Sequence, residues 1–236
     1  MRALLIISVI ALTISFKLNA VAHDKPIVVA VIDTGINPEL KDKVQLCKQG
    51  HKDFTGTGIE DTHGHGSHIS GLIDANVKGV KVSEVDQIKA NYCQVIIKFF
   101  DSHMSGNALD TEVKALRWAI DLKVNVINFS GGGHYESREE RLLIKEALDK
   151  GIKVIVAAGN DHHELAGDYK FYPAMTDKRL YVVGNLDSNR VPASSSNFGA
   201  LVNTWEFGTK MQSFCKFGSE PICYLTGTSQ ATDISR

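Results

Sequence analysis

The sequence predicts an α/β domain of three layers, a doubly wound and mostly parallel sheet with helices on both faces. Two observations carry this. Short apolar runs rich in β-branched residues recur along the chain and are nearly continuous rather than alternating, as in strands covered on both faces. Segments with helical apolar spacing lie between them, which is the alternation of a βαβ architecture. A chain of 236 residues, 43% hydrophobic and 22% charged, has the material for one such core and is neither low-complexity nor disordered. A formal net charge of -1 leaves no basic excess to drive binding to phosphate backbones or anionic lipid, so nucleic acid and membrane surface are excluded as partners of choice.

Ahead of the domain, residues 1–22 read as a secretory signal. Arg2 precedes an apolar run from Ala3 to Phe16, too short for a bilayer span and closed by Lys17, and Ala20-Val21-Ala22 offers a small-residue cleavage site. The expectation is a secreted protein, extracellular or periplasmic, with residues 23–236 as its folded domain and no membrane contact after cleavage. An even set of cysteines, Cys47, Cys93, Cys215 and Cys223, suits an oxidising compartment. Cys215 and Cys223 flank a local loop with Gly218 and Pro221, which leaves Cys47 to pair with Cys93.

The predicted strands are Ile27 to Ile32, Val95 to Phe99, Val124 to Phe129, Lys153 to Ala157 and Leu180 to Val183. From Asp110 to Leu122, helical spacing places Val113, Leu116, Ala119 and Ile120 on one face with Trp118 beside it. Ser137-x-x-Glu140 is a capping box for the next helix, which Gly151 ends. No internal repeat or linker interrupts the pattern.

In doubly wound sheets chemistry collects at the carboxyl ends of the strands. The first predicted strand runs into Asp33-Thr34-Gly35. A glycine-rich turn, Asp61 through Gly71, leads into a small-residue helix and carries His63, His65 and His68. Ala157-Ala158-Gly159-Asn160 follows the fourth strand, and Thr226-Gly227-Thr228-Ser229 marks another helix start. Together these supply carboxylate, imidazole, amide and hydroxyl, in that chain order. The order excludes the α/β-hydrolase arrangement, in which the serine comes first.

With VAVIDTGI around Asp33, GHGSHISG around His65, VINFSGGG around Ser130, VAAGN ending at Asn160, YPA at Pro173 and GTSQA around Ser229, the chain resembles the subtilisin-like serine proteases, the subtilase family. The motifs fall in the family's order over nearly the whole domain. The resemblance implies a subtilisin-like fold and a serine endopeptidase acting on polypeptides. Asp33, His65 and Ser229 would form the catalytic triad, and Asn160 would donate to the oxyanion. Ser130, Gly131, Gly132 and Gly133 would pair with the substrate backbone, while Ala157, Ala158 and Gly159 would line the primary specificity pocket with Phe171 at its floor. Pro173 is expected to follow a cis peptide bond.

The resemblance calls for no cofactor, and no calcium-loop pattern stands out, although scattered acidic loops leave room for a weak site. A rival reading takes His63, His65 and His68 as zinc ligands, with His162 and His163 in support. The binuclear hydrolase pattern would need an aspartate where Ser67 stands. His68 is therefore expected as a partly buried helix residue, His63 on an exposed turn, and His162 and His163 on a solvated loop. Asn128-Phe129-Ser130 matches a glycosylation sequon, but its place on a core strand makes this a coincidence.

The chain departs from the family pattern in three places. Gln230-Ala231-Thr232-Asp233 follows Ser229 where the family reads Met-Ala-Ser/Thr-Pro. Only His23 to Pro26 separate the signal from the first strand, where the family carries a propeptide. Seven residues follow Ser229, where the family continues through a buried helix. The expectation is a C-terminally incomplete peptidase domain, weakly active alone, with a propeptide or inhibitor in trans as a candidate partner; oligomeric state is left open. The alternative is a noncatalytic subtilase-fold binding or scaffold protein.

Overall fold

The computed structural model describes residues 25–87, 89–215 and 222–232. The segment read as a secretory signal, residues 1–22, lies outside them. Seven parallel strands form the central sheet: β1 (Ile27–Asp33), β2 (Lys52–Asp53), β3 (Tyr92–Lys98), β4 (Val126–Phe129), β5 (Lys153–Ala157), β6 (Tyr181–Leu186) and β7 (Thr204–Phe207), in the spatial order β2-β3-β1-β4-β5-β6-β7. A small antiparallel pair, β8 (Met211–Phe214) and β9 (Ile222–Leu225), stands apart.

The helices are α1 (His65–Lys78), α2 (Ala108–Asp121), α3 (Arg138–Asp149) and a short α4 (Thr228–Ala231). Strand period sorts the side chains into two cores. Ala30, Ile32, Ile127, Phe129, Val154 and Val156 face the layer of α2 and α3. Val29, Val31, Ile96, Val126, Ile155 and Val183 face the opposite layer, packed with Ile69, Leu72 and Ile73 of α1 and Ala231 of α4. That is the three-layer α/β architecture the alternation predicts.

Strand ends differ from the sequence expectation for local reasons. β4 begins at Val126 because Lys123 turns with φ 56° and Val124 is still hydrogen-bonded to Ala119 of α2. β3 begins three residues early, at Tyr92, since Tyr92 and Gln94 are buried in spite of their polar atoms. β2 and β7 went unpredicted because one is a two-residue edge and the other, TWEF, is half-exposed.

Cys47 is bonded to Cys93 and Cys215 to Cys223, as the loop argument expects. The Tyr172-Pro173 bond is cis. Asn128 is buried and donates to Ser130 Oγ at 3.0 Å, so the sequon sits inside the core.

Candidate active site

Because every strand of the central sheet runs the same way, their carboxyl ends share one edge. Asp33 ends β1, Ser130 follows β4, and Asn160 follows β5. His65 opens α1 on the same edge. Its entry is fixed by close packing: a Cβ on Gly66 would collide with the Gly35 carbonyl, so only glycine lets α1 start against the β1 turn.

Asp33 and His65 meet. His65 Nδ1 lies 2.8 Å from Asp33 Oδ1 and 3.0 Å from Oδ2, and the Thr34 N–H donates to Oδ1 at 2.7 Å. Asp33 is buried, and the His65 side chain keeps 23% of its surface. With a carboxylate on Nδ1, that nitrogen carries the proton in the neutral ring and Nε2 is free to accept. Burial opposes the imidazolium, but the charge and hydrogen bond of Asp33, with the charge of Asp61, outweigh it and raise the His65 pKa above 6.5.

Asp61 was read from the sequence only as a neighbour of the histidines, yet it organises the turn. Fully buried, it accepts from Thr34 Oγ1 at 2.8 Å, Gly64 N at 2.7 Å, Ser67 N at 2.8 Å and Ser67 Oγ at 2.7 Å. Burial would raise its pKa; the Ser67 hydroxyl and the backbone donors of Gly64 and Ser67 more than offset this, and the pKa falls. A second tie comes from Lys98, whose buried Nζ donates to Asp101 Oδ2 and to the Glu60 carbonyl, both at 2.6 Å. Asp101 in turn holds Thr62.

Ser229 lies in α4 with its hydroxyl donating to the Ser130 carbonyl at 2.9 Å. Among the described residues no hydrogen bond joins it to His65. The Ser130 carbonyl is a free acceptor just past the end of β4, and it captures the hydroxyl. Ser130 Oγ contacts Thr232 Oγ1 at 2.8 Å, and Thr232 donates onward to the Ser229 carbonyl at 2.7 Å, so Ser130 must be the donor of the first bond. Asn160 stands exposed beside this turn. Its Oδ1 accepts from Thr228 N at 2.9 Å, which fixes the amide orientation and leaves Nδ2 as the outward donor.

Asp33, His65 and Ser130 to Gly133 line one cleft of about 650 Å³. The remaining expected site residues are placed otherwise. Gly133 exchanges both backbone bonds with Tyr172, at 2.9 and 2.7 Å, and so is already paired. Ala157 and Ala158 are buried in the core. The Phe171 ring is wedged between two glycines: a Cβ on Gly132 would come within 2.6 Å of it, and one on Gly159 within 3.0 Å. The ring fills the gap between the two segments.

Of the other described histidines, only His63 lies beside His65, its ring edge-on at a centroid distance of 6.2 Å on the same cleft lining. His63 is exposed; His68 is buried, with Nε2 on the Met211 carbonyl at 3.0 Å, and burial lowers its pKa to about 4. His162 and His163 are exposed, the latter stacked on Tyr169.

With this geometry in place, the chain can be set beside known proteins. The model of the Subtilase family matches residues 24–233. Subtilisin DY of Bacillus licheniformis is 32% identical over 208 residues, covering 86% of this chain and 72% of that protein. Subtilisin-like protease 1 of Pseudogymnoascus destructans is 30% identical over 204 residues, covering 86% of this chain and 48% of that protein. The chain thus spans about half the length of several of the curated relatives it matches, among them subtilisin NAT of Bacillus subtilis subsp. natto, at 52%. A solved structure titled as a cold adapted subtilisin-like serine proteinase superposes with a TM-score of 0.69 at 23% identity, covering 89% of this chain and 72% of that one, a likeness of fold. Among the described residues no helix is long and apolar enough to cross a membrane. The chain belongs to the subtilase family.

Proposed function

We propose that the protein is a secreted serine endopeptidase in which Ser229 is the nucleophile, His65 the general base and Asp33 the group that orients and stabilises the imidazole. The observation that carries this reading is the Asp33–His65 hydrogen bond at 2.8 Å on a strand-end cleft, which leaves Nε2 as an acceptor. Substrate entry frees the Ser229 hydroxyl from the Ser130 carbonyl, and His65 Nε2 takes its proton as Oγ attacks the peptide carbonyl. Catalytic hydrogen bonds are often long or poorly aligned without substrate and tighten only in the substrate complex.

The developing oxyanion is met by Asn160 Nδ2 and the Ser229 N–H, which no described backbone bond uses. His65 returns the proton to the leaving amine, forming the acyl-enzyme, and then activates water for its hydrolysis. None of these steps calls for a cofactor. Gly131 and Gly132 are the backbone we assign to substrate pairing, since Gly133 is already engaged by Tyr172. Export by the residue 1–22 segment places the reaction outside the cytoplasm.

The second reading, a noncatalytic binding protein, draws on the Ser229 hydroxyl being held by Ser130 rather than His65. Fluorophosphonate labelling separates the two. The proposal expects Ser229 to be labelled, and Ser229→Ala to abolish labelling and lower peptide hydrolysis by roughly 10⁴-fold or more. Absence of labelling in the folded wild-type chain would favour the binding protein.

A further inference from the structure

The cleft that holds Asp33 and His65 extends to a second pair of acids for which the proposed reaction has no use. Glu112, on the buried face of α2, and Glu140, in the first turn of α3, line the same cavity. They are 8% and 2% exposed, and in each the Oε1 atom is buried without a hydrogen-bond partner. Ser137 caps α3 through the Glu140 N–H, but the reciprocal bond of a capping box, from Ser137 N–H to the Glu140 carboxyl, is not made among the described residues. The carboxyl turns toward Glu112 instead.

Leaving acceptors unsatisfied between two packed helices is costly, and the neighbouring core positions Ala115, Leu116, Leu143 and Ile144 show how an apolar residue would have fitted. No cation of this chain offsets the cost among the described ion pairs, for Arg141 is taken by Glu136. Burial pushes both pKa values upward; the charge and hydrogen bond of Glu140 add to the rise at Glu112, whereas at Glu140 the bond with Glu112 acts the other way and burial, with the charge of Glu136, outweighs it. An entering ammonium or guanidinium would reverse that, because an opposite charge favours the ionised acid.

The walls decide what kind of cation fits. Phe100, Leu109 and the exposed ring of Tyr135 line the same cleft as the acids. A guest with an apolar stem and a charged tip satisfies both parts, the stem along the rings and the tip at the carboxyls.

Building on the peptidase reading, we propose that Glu112 and Glu140 form a specificity pocket that takes a lysine or arginine side chain of the polypeptide, a few residues from the scissile bond. Gly131 and Gly132 lie on the same cleft wall, so a peptide paired with them brings a side chain to the acids without moving its reacting carbonyl from His65.

The test uses the full chain and a peptide series with lysine or its uncharged analogue norleucine at each of four positions on either side of the cleavage site. Binding is measured by calorimetry on Ser229→Ala, where nothing is turned over, and hydrolysis on the wild type. At one position the lysine peptide should bind about tenfold more tightly than its norleucine counterpart, the scale of one charge-assisted contact. Glu112→Gln with Glu140→Gln should erase that preference while keeping a cooperative thermal transition; if the pair of changes prevents folding, each single change should weaken the preference. Equal binding of both peptides at every position, or a preference that survives the glutamines, overturns the pocket. A wild type that hydrolyses no peptide but still binds lysine selectively would count against the peptidase reading and leave the pocket standing.

Discussion

His65 stands between burial, which disfavours the imidazolium, and the charges of Asp33 and Asp61, which favour it and prevail. In the proposed mechanism His65 is a general base, which works only when neutral, so kcat/KM should climb with pH through an ionisation above 6.5 rather than at the usual histidine value. Asp33→Asn should move that ionisation downward while cutting the rate, because the raising charge is gone. A pH-rate profile of both forms checks the sign; a limb below pH 6.5 in the wild type contradicts it. The same shift has a stability side. With the folded pKa raised, the contribution of His65 is complete below the unfolded value and is lost as pH rises through the folded one. Phe171 makes a separate residue-level case. Its ring occupies the space between Gly132 and Gly159, so the substrate residue before the scissile bond should be small. Phe171→Ala should raise kcat/KM for peptides with a large apolar residue there by about tenfold or more relative to alanine peptides. An unchanged ratio would show that the ring does not limit that pocket.

At the scale of elements, the contact between α2 and α3 carries the least expected feature of the molecule. Glu112 and Glu140 both hold their protons to higher pH than in an unfolded chain. The folded state therefore binds more protons in the interval above the ordinary carboxyl pKa, and stability should fall as pH rises through it. Glu112→Gln should flatten that decline, read as thermal midpoints from pH 5 to 9; a parallel decline in the variant would remove Glu112 as its source. This pair shows where sequence reading stops. The α2 face was traced from Val113, which the structure leaves only partly buried, whereas Glu112, Leu116 and Ala119 share the fully packed side. The i, i+4, i+7 spacing from Glu112 was present in the sequence, but a glutamate on an apolar stripe is ordinarily taken as solvated. In contrast, β1, β4 and β5 were legible because they are β-branched runs buried on both faces. The edge strand β7 was not, since its half-exposed residues leave no run to detect.

Across the whole molecule, the two disulfides should differ in weight. Cys47–Cys93 closes a separation of 46 residues and joins the segment before β2 to β3; Cys215–Cys223 closes only eight. Loop entropy assigns about 4 kcal/mol to the first and about 2 to 3 kcal/mol to the second. Denaturant unfolding of the paired alanine variants should rank them in that order, and a reversed order would mean that native contacts outweigh chain entropy. The gathering of Asp33, His65 and Asn160 on one edge was readable at this scale from motif order and strand ends. The capture of Gly133 by Tyr172 and of the Ser229 hydroxyl by Ser130 was not, because backbone bonds between distant segments leave no mark on side-chain pattern.

That shared edge also governs timing. Asp33 is delivered by the first strand, and Ser229 by a short helix nearly two hundred positions later in the chain. The two meet only across a sheet whose neighbours are remote in sequence, and such long-range parallel pairing is slow to form. No unit confined to one stretch of this chain can hold Asp33, His65 and Ser229 at once. If the peptidase reading holds, the chain stays chemically silent until α4 has docked beside the ends of β4 and β5.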